Sequence, residues 1–482
     1  MTTHDIITQN KCQQLSHTTS SAPLTSSSII YSYSYSSTQF SPMKMKKNHS
    51  SINLIFMIRD NKMSLLFLVQ FFFFFFMHAD SLLITTHPKD LHVLKQLKAA
   101  IDPTTITPGS CIYSWDFTFD PCHSLFTDKF TCGFRCDVVF NNSVSRVSEL
   151  ALDSAGYSAS LAAVSWNQLP YLQNLDLSNN NFHGPIPASF SRLTRLQRLA
   201  LSRNSLSKPI PEDVGSLPSL EQLYLDNNML EGEIPSSFNG LKSLKRLELQ
   251  GNKLGGAFPD LGQLINLSYL DASDNEISGK LPAKLPPSLF ELIMRNNQIE
   301  GAVVLVDSSA DGLQVVDLSH NKLSGWVPAS LFSHPSLQQL TLSFNQLGWV
   351  ESPMNLGFMR SELISVDLSN NDIHGYLPGF MGLMPRLSAL SLENNKFSGW
   401  IPAQYVVKVL TGQNVAQFER LLLGGNYLFG PIPGPFLELK PGSVTVRLGN
   451  NCLYRCPVRW FFCEGGVQKS VMECRGFGAI IP

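Results

Sequence analysis

The side chains of this chain that could do chemistry are aromatic and charged residues at regularly spaced positions, and the chemistry they suit is binding. Equivalent positions elsewhere repeat a uniform Asp-x-Ser pattern, as at Asp176 and Ser178, so departures from that pattern carry the information. Large aromatic side chains next to arginine are enriched in the energetically important parts of protein interfaces. The candidate ligand-binding residues are Arg198, Tyr224, Asp226, Arg246, Glu248, Tyr269, Phe290 and Arg295.

Motifs for catalysis are missing from the sequence. It contains no GxSxG, no HExxH, no phosphate-binding loop and no protein-kinase signature. His183, His320 and His374 fall in predicted turns, where a solvated or locally hydrogen-bonded imidazole is more common than a catalytic base. The formal net charge is −1 at pH 7 and the repetitive region has no basic tract, so nucleic acid is not an indicated partner. We therefore predict a protein that is not an enzyme and that has no cofactor and no metal site.

The elements that must position the candidate residues are copies of one segment, seen as "LQNLDLSNNNFHGPIP" from Leu172 to Pro187. Aligned on the asparagine of L-x-x-L-x-L-x-x-N, the segment occurs at Asn180, Asn204, Asn228, Asn252, Asn275, Asn297, Asn321, Asn345, Asn371, Asn395, Asn426 and Asn451. Most of these intervals are close to 24 residues, a spacing found in leucine-rich repeats. Chance does not produce such regularity.

The first half of each repeat gives its residues fixed directions. In L-x-L, the alternation of a strand points Leu175 and Leu177 to one face and Asp176 and Ser178 to the other. The asparagine that follows can pair backbone groups that no strand ladder reaches. Because the last repeat has a neighbour on one side only, we expect replacement of its asparagine, Asn451, to cost less stability than replacement of an interior one.

The second half of each repeat indicates a tight turn. Gly184, Gly232 and Gly279 permit the positive φ that such a turn needs, and a proline such as Pro187 ends the segment without an amide donor. A unit this short cannot bury its own leucines, so the copies must stack into one domain. The predicted fold is α/β by convention: a right-handed, curved leucine-rich-repeat solenoid with parallel strands on its concave face and disulfide caps at both ends.

The cysteines of the caps flank the repeats: they are Cys111, Cys122, Cys132, Cys136, Cys452, Cys456, Cys463 and Cys474. An open solenoid exposes apolar core at both ends, and in a secreted protein a disulfide-stapled cap covers each end. Each set of four cysteines allows three pairings, and the sequence does not choose among them. Zinc binding is the weaker alternative, because neither set shows paired C-x2-C spacing.

Composition divides the rest of the chain. Residues 1–62 are rich in Ser and Thr and lack apolar periodicity, so we interpret them as a disordered leader or an upstream extension of the reading frame. Residues 63–79 have the basic start, apolar run and small residue of a signal peptide, and translation from Met63 would give an ordinary one. The further segments are an N-terminal cap (80–146), the repeat array (147–451, about 12–13 repeats) and a C-terminal cap (452–482).

Two local features complete the prediction for these segments. In "DLHVLKQLKAAI", Leu91, Leu94 and Ile101 fall near one helical face, which predicts a short helix at the start of the N-terminal cap. Asn141 and Asn266 stand in N-x-S sequons and are expected to be glycosylated if the chain is secreted.

The motif L-x-G-x-I-P, in "LEGEIP" and "FSGWIP", and the cap segment "SWDFTFDPCHSLFTDKFTC" resemble the plant-specific leucine-rich repeats of receptor-like proteins and receptor kinases. The resemblance covers about residues 88–474. Within that class the chain is most similar to the short kinase-less group around Too Many Mouths, and more distantly to polygalacturonase-inhibiting proteins. Because only "RGFGAIIP" follows Cys474, we expect no spanning helix, no lipid-attachment tail and no kinase domain.

The resemblance implies an extracellular recognition protein that binds a peptide or protein ligand, or a receptor-kinase ectodomain as co-receptor. Such a protein would modulate receptor-kinase signalling in development or defence. It would be secreted to the apoplast or cell wall and associate with the plasma membrane through its partner. The alternative is a secreted inhibitor of a cell-wall-degrading enzyme such as polygalacturonase, which would use the same concave face. A structural cell-wall component is less favoured, because no Ser-Pro repeat is attached.

Overall fold

The computed structural model describes residues 85–139, 144–304, 310–410, 415–454, 456–457, 459–464 and 467–477. The interpretations of residues 1–62 and 63–79, and the sequon at Asn141, lie outside these described residues. No helix within the described ranges is long and apolar enough to cross a membrane.

The described strands, in chain order, are β1 (Thr85–Thr86), β2 (Phe134–Val139), β3 (Val144–Ala151), β4 (Asn174–Asp176), β5 (His183–Gly184), β6 (Arg198–Ala200), β7 (Ser205–Lys208), β8 (Gln222–Tyr224), β9 (Met229–Glu233), β10 (Arg246–Glu248), β11 (Lys253–Gly255), β12 (Tyr269–Asp271), β13 (Ser278–Lys280), β14 (Glu291–Ile293), β15 (Gln298–Gly301), β16 (Val315–Asp317), β17 (Lys322–Val327), β18 (Gln339–Thr341), β19 (Gln346–Val350), β20 (Ser365–Asp367), β21 (His374–Tyr376), β22 (Ala389–Ser391), β23 (Lys396–Gly399), β24 (Arg420–Leu422), β25 (Tyr427–Pro431), β26 (Thr445–Arg447) and β27 (Cys452–Tyr454). The described α-helices are α1 (Pro88–Ala100), α2 (Cys111–Ser114), α3 (Ala329–Phe332), α4 (Ala403–Leu410) and α5 (Val471–Arg475).

One long sheet runs through the whole repeat array. Its strand order is β1-β3-β4-β6-β8-β10-β12-β14-β16-β18-β20-β22-β24-β26, and β2 pairs with β3. The pairs from β3 onward are parallel and in register, as where Leu247 of β10 lies opposite Leu270 of β12. The middle residue of each three-residue strand of this sheet, a leucine or a valine, is buried, so the first and third residues face outward, as the L-x-L pattern predicts. We call this outward surface the long-sheet face.

The second half of each repeat is extended rather than a tight turn. It forms three shorter sheets of four strands each, in the orders β11-β9-β7-β5, β13-β15-β17-β19 and β21-β23-β25-β27. Gly184, Gly232 and Gly279 have φ of 79°, 79° and 76°, so the positive φ was predicted correctly, but these glycines lie in β5, β9 and β13. We call the exposed surface of these strands the second-sheet face. Short 3-10 turns such as Ser236–Gly240 follow the prolines and return the chain to the long sheet.

The repeat asparagines connect neighbouring repeats from inside. Asn252 donates from Nδ2 to the carbonyl oxygens of Leu225 (3.0 Å) and Leu249 (2.9 Å), and its Oδ1 accepts from the Leu230 N–H (3.0 Å). Asn451 makes the equivalent bonds to its own repeat and to the preceding one. Because these bonds run backward along the chain, the last asparagine is not short of partners. The premise that Asn451 is less well bonded than an interior asparagine is therefore wrong.

The N-terminal cap closes the first repeat with the predicted helix. Helix α1 buries Val93, Leu94 and Leu97, so its buried side includes Val93 where the sequence pattern favoured Leu91. The fully buried Asp90 carboxylate accepts a hydrogen bond from Arg146 Nη2 at 2.8 Å and another from the backbone N–H of Val147 at 2.8 Å. This buried pair ties the helix to β3, because a buried charge needs its partner.

Disulfides lie near both ends of the described chain, as expected. The pairs are Cys111–Cys132, Cys122–Cys136, Cys452–Cys474 and Cys456–Cys463. The pairing that the sequence left open is interleaved in the N-terminal cap and nested in the C-terminal cap. Both caps therefore carry covalent links at the ends of the stack, where the core would otherwise meet water.

Candidate binding face

The candidate residues come from consecutive strands of the long sheet. Arg198, Arg246 and Tyr269 are first residues of their strands, and Tyr224 and Glu248 are third residues, so all five side chains leave the same side of the sheet. They occupy β6, β8, β10 and β12, which are hydrogen-bonded neighbours. The repeat therefore places on one surface residues that are up to 71 positions apart, from 198 to 269.

An arginine–tyrosine pair occupies β10 and β12. The Arg246 guanidinium lies over the Tyr269 ring, 3.6 Å from its centroid, and its Nε donates to Glu248 Oε1 at 2.5 Å. Glu248 also accepts from Gln250 Nε2 at 3.2 Å. Burial, with the nearby carboxylates of Asp271, Glu291 and Glu248, raises the pKa of Tyr269. The phenol therefore stays protonated and can act as a hydrogen-bond donor to a ligand.

A second arginine–tyrosine pair occupies β6 and β8. The Arg198 guanidinium lies 4.4 Å from the centroid of the Tyr224 ring. Arg198 also donates to Gln222 Oε1 at 2.9 Å and to Asp176 Oδ2 at 3.2 Å. From the sequence, Asp176 was assigned to the uniform Asp-x-Ser pattern, but in the structure it pairs with the candidate Arg198. Diagonal neighbours on adjacent strands interact in this way, and that rule could have identified it.

Asp226 and Arg295 lie near these pairs but have local partners. Asp226 is 5% exposed, and its carboxylate accepts from the Ser202 hydroxyl and, at 2.8 Å, from Asn227 Nδ2. Arg295 forms an ion pair with Asp274 at 3.3 Å. The buried Asp226 therefore suits a role in holding the surface, whereas Arg295 remains at its edge.

Phe290 is the candidate farthest from the face itself. It directly precedes β14, so it does not occupy an outward strand position, and 45% of its surface is exposed. The sequence reasoning counted it with the outward residues because it stands between the two leucine positions of the repeat. The structure places it at the border of the long-sheet face.

Two shallow cavities lie along the long-sheet face. One, of about 430 Å³, is lined by Arg198, Tyr224, Asp226 and Glu248 among others. The other, of about 580 Å³, lies where β2 of the N-terminal cap meets the first repeats, and Arg198 borders it too. Sequence reasoning missed this second cavity, because nothing in the repeat pattern says how the cap folds.

Asn174, beside Glu149 in the second cavity, carries an unused polar atom. Its Nδ2 donates to Glu149 Oε1 at 3.1 Å, whereas its buried Oδ1 has no hydrogen-bond partner among the described residues.

Comparison with known proteins identifies the repeat. Residues 170–230 and 312–334 match family models described as leucine-rich repeat. Lumican of Mus musculus is 45% identical over 85 residues, which are 17% of this chain and 25% of lumican. Receptor-like protein 35 of Arabidopsis thaliana is 33% identical over 87 residues, which are 17% of this chain and 9% of that protein. The chain thus matches a quarter or less of these relatives' length.

Solved structures extend the similarity to most of the array. The ectodomain of the plant membrane receptor kinase GASSHO1/SCHENGEN3 from Arabidopsis thaliana, in complex with CASPARIAN STRIP INTEGRITY FACTOR 2, has a TM-score of 0.56 at 30% identity, covering 68% of this chain and 42% of that one. The PEPR1–AtPEP1 structure has a TM-score of 0.56 at 28% identity, covering 76% of this chain and 56% of that one. The chain folds as a leucine-rich-repeat solenoid, similar to the ectodomains of plant leucine-rich-repeat receptors.

Proposed function

We propose that the chain is an extracellular receptor-like protein whose long-sheet face binds a peptide or protein ligand or a receptor-kinase ectodomain. Through that partner it modulates receptor-kinase signalling in development or defence. The observation that carries this proposal is the pair of arginine–tyrosine stacks, Arg198 with Tyr224 and Arg246 with Tyr269, on four neighbouring strands.

The stacks suit binding because they are ordered before a ligand arrives. Each arginine is fixed on one side by an aromatic ring and on another by a carboxylate, Asp176 or Glu248. Side chains that are already ordered lose less conformational entropy on association, so more of their contact energy remains as affinity. Tyrosine and arginine are also the residue types that dominate interface energetics.

Similarity supports a peptide or protein ligand. GASSHO1/SCHENGEN3 was solved with CASPARIAN STRIP INTEGRITY FACTOR 2, and PEPR1 with AtPEP1. Both proteins bind these partners with the fold that this chain shares over roughly two thirds or more of its length. A peptide or protein ligand therefore fits this chain better than a small molecule, since the two cavities of its long-sheet face are shallow and open.

Secretion to the apoplast or cell wall is part of the proposal. Disulfides persist in oxidising compartments, and the described cysteines of both caps are paired. Asn266 is exposed in a turn three residues before β12, where a glycan would border the face without covering Tyr269. The alternative, inhibition of a cell-wall-degrading enzyme such as polygalacturonase, uses the same face with a different partner.

Affinity capture from apoplastic fluid separates these functions. The bait is the secreted protein, and the matched bait is its Arg246→Ala/Tyr269→Ala variant with both caps intact. A receptor-kinase ectodomain or peptide captured by the first bait and lost with the second supports the proposal. A secreted hydrolase lost in the same way favours the inhibitor, and identical captures by the two baits contradict binding through this face.

A further inference from the structure

A row of exposed aromatic side chains lies on the second-sheet face, away from the proposed ligand site. The four residues come from four consecutive repeats. Trp326, Tyr376 and Trp400 stand two residues before the proline of L-x-G-x-I-P or its variants, whereas Trp349 stands one residue earlier in its repeat, and a register shift after Gly325 brings it opposite Trp326. We call them the aromatic row: Trp326, Trp349, Tyr376 and Trp400. Their side chains are 42%, 46%, 79% and 68% exposed.

The aromatic row is not a general feature of the repeat. The equivalent residues of the six preceding repeats are Pro185, Pro209, Glu233, Ala257, Lys280 and Ala302. The chain therefore changes from small, charged and proline residues to four aromatic residues in succession. Exposed tryptophan is costly in water, and contiguous exposed apolar patches mark binding sites in soluble proteins.

The rings of the aromatic row lie along the sheet. Trp326 and Trp349 are register partners on β17 and β19, and their rings are stacked with centroids 5.8 Å apart and planes 20° apart. His374 continues the contact to β21, 6.5 Å from the Trp349 ring. The row therefore crosses the point where one four-stranded sheet ends and the next begins.

Glycines allow the last two rings of the row, Tyr376 and Trp400, to lie over the next strand. A Cβ on Gly399 would meet the Tyr376 ring at 2.5 Å. A Cβ on Gly430 would be 3.3–3.4 Å from three atoms of the Trp400 indole, so that the indole covers the glycine with one face. The opposite face of Trp400 is then directed to solvent. Trp400 therefore offers a flat face to a ligand, whereas Trp326 and Trp349 turn one face toward each other.

The surroundings of the aromatic row are polar but electrically balanced. Lys396 pairs with Asp372 at 2.7 Å, so their charges cancel beside Tyr376 and Trp400. His374 lies one position before the glycine of its repeat and offers a hydrogen-bonding group along the row. A neutral ligand with many hydroxyl groups matches this arrangement, and a strongly charged one does not.

The aromatic row is also narrow. The residues that directly follow Trp326, Tyr376 and Trp400 along the chain, Val327, Leu377 and Ile401, are buried and do not widen the row. With roughly 150–250 Å² for each aromatic side chain, its exposed area is about 500 Å². A stable protein interface needs about 800 Å² on each partner. In a dimer of this chain, the row would therefore form only part of the interface. A thin linear ligand would contact the whole row.

We propose that the aromatic row binds a neutral, linear polysaccharide that lies along successive repeats. Its sugar rings place their apolar C–H faces on the exposed aromatic surfaces, with the flat face of Trp400 as one platform, and their hydroxyl groups reach His374 and the neighbouring polar residues. This site is separate from the long-sheet face, so the protein can hold a polysaccharide and a protein ligand at the same time.

Sedimentation with microcrystalline cellulose and affinity electrophoresis in xyloglucan test the aromatic row with the full secreted protein. Polygalacturonate serves as an anionic comparison. The test variant is Tyr376→Ala/Trp400→Ala, whose side chains are mostly exposed and contribute little to the core. The matched control is Tyr113→Ala, which removes an aromatic side chain that is 58% exposed on α2 of the N-terminal cap.

We expect binding to at least one neutral glucan, weaker binding to polygalacturonate, and an affinity about tenfold lower in the double variant. Cellulose binding alone would indicate an insoluble surface, and xyloglucan binding alone a soluble chain, and either supports the proposal. No binding to either glucan, or equal binding by the double variant, overturns it. A dimer of the wild-type protein that the double variant converts to a monomer, measured by sedimentation velocity, overturns it in favour of a second copy. The double variant should still bind the protein ligand normally, which would show that a loss of glucan binding does not come from damage to the long-sheet face.

Discussion

Replacing a repeat asparagine by leucine tests how the stack is held together. In Asn252→Leu, the Leu230 N–H loses the acceptor that the structure gives it, the amide oxygen of Asn252 at 3.0 Å. The carbonyl of Leu225 also loses a donor but keeps Asn228, which donates to it at 3.1 Å. The orphaned donor therefore dominates the cost.

The expected loss of stability follows from the hydrogen bonds that the substitution removes. A buried donor left without a partner costs about 1–3 kcal/mol, and the weakened carbonyls add a smaller amount, so Asn252→Leu should cost about 2–3 kcal/mol. Asn451→Leu removes the same kind of acceptor, from the Leu428 N–H at 3.2 Å, and should cost about as much. The disulfide at Cys452 keeps that last repeat attached to the cap, so local fraying does not hide the effect.

Equilibrium denaturation in urea, with the disulfides intact, measures the free energy of unfolding of both variants. The control is Asn181→Leu, an exposed asparagine next to the ladder. Its Nδ2 donates to the Gly156 carbonyl at 3.2 Å, but water can replace this exposed bond, so the free energy should change by less than about 0.5 kcal/mol. A loss at Asn451 well below the loss at Asn252 would refute the reasoning. It would mean that neighbours on both sides, rather than the backward hydrogen bonds, determine the contribution of each asparagine.

Three further measurements follow from individual residues. Burial lowers the pKa of Lys408, on α4, from 10.5 to about 8, so the unfolded chain binds more protons than the folded chain between these values. The free energy of unfolding should therefore rise with pH across about 8–10.5, and Lys408→Met should remove that rise. A pH titration of urea unfolding checks it, and an identical rise in the variant would contradict it. Asn266→Gln should remove one N-glycan from the secreted protein, seen as a mass decrease that enzymatic deglycosylation abolishes, and an unchanged mass would show that the sequon is unused. Intact mass with and without reduction should show no free thiol among the eight cap cysteines, whereas labelling of Cys456 or Cys463 before reduction would exclude their pairing.

The parts of the fold that depend on local pattern could be predicted from the sequence. Alternation within L-x-L fixes which side chains are buried, and the asparagine spacing fixes the repeat, so the long sheet and the burial of residues such as Leu223 followed directly. The second sheets were missed because their segments contain glycine and proline, which are poor indicators of strands. Gly232 was assigned its positive φ correctly but in the wrong element.

The parts that depend on contacts between distant segments could not be predicted. The interleaved cap disulfides bring together cysteines whose spacing allows other pairings, and only the folded cap selects among them. The candidate face was predicted as a set of residue types on one surface, and the structure places five of the eight, Arg198, Tyr224, Arg246, Glu248 and Tyr269, on neighbouring strands. Their pairing was not predicted, because the repeat pattern does not say which outward side chains contact each other. Asp176, assigned to the uniform pattern, supports Arg198, whereas the candidate Asp226 is buried.

The central claim is that a partner binds the long-sheet face at the arginine–tyrosine stacks. Once the partner has been captured, isothermal titration of Tyr224→Ala, Arg246→Ala and Tyr269→Ala measures it most directly. Each change should weaken binding by about 1–2 kcal/mol, with little change in unfolding, because these side chains alternate with the buried leucines. Asp367→Ala, on β20 of the same face, should bind normally. Unchanged affinity in the three variants, with loss in Trp400→Ala, would move the site to the second-sheet face and contradict the account.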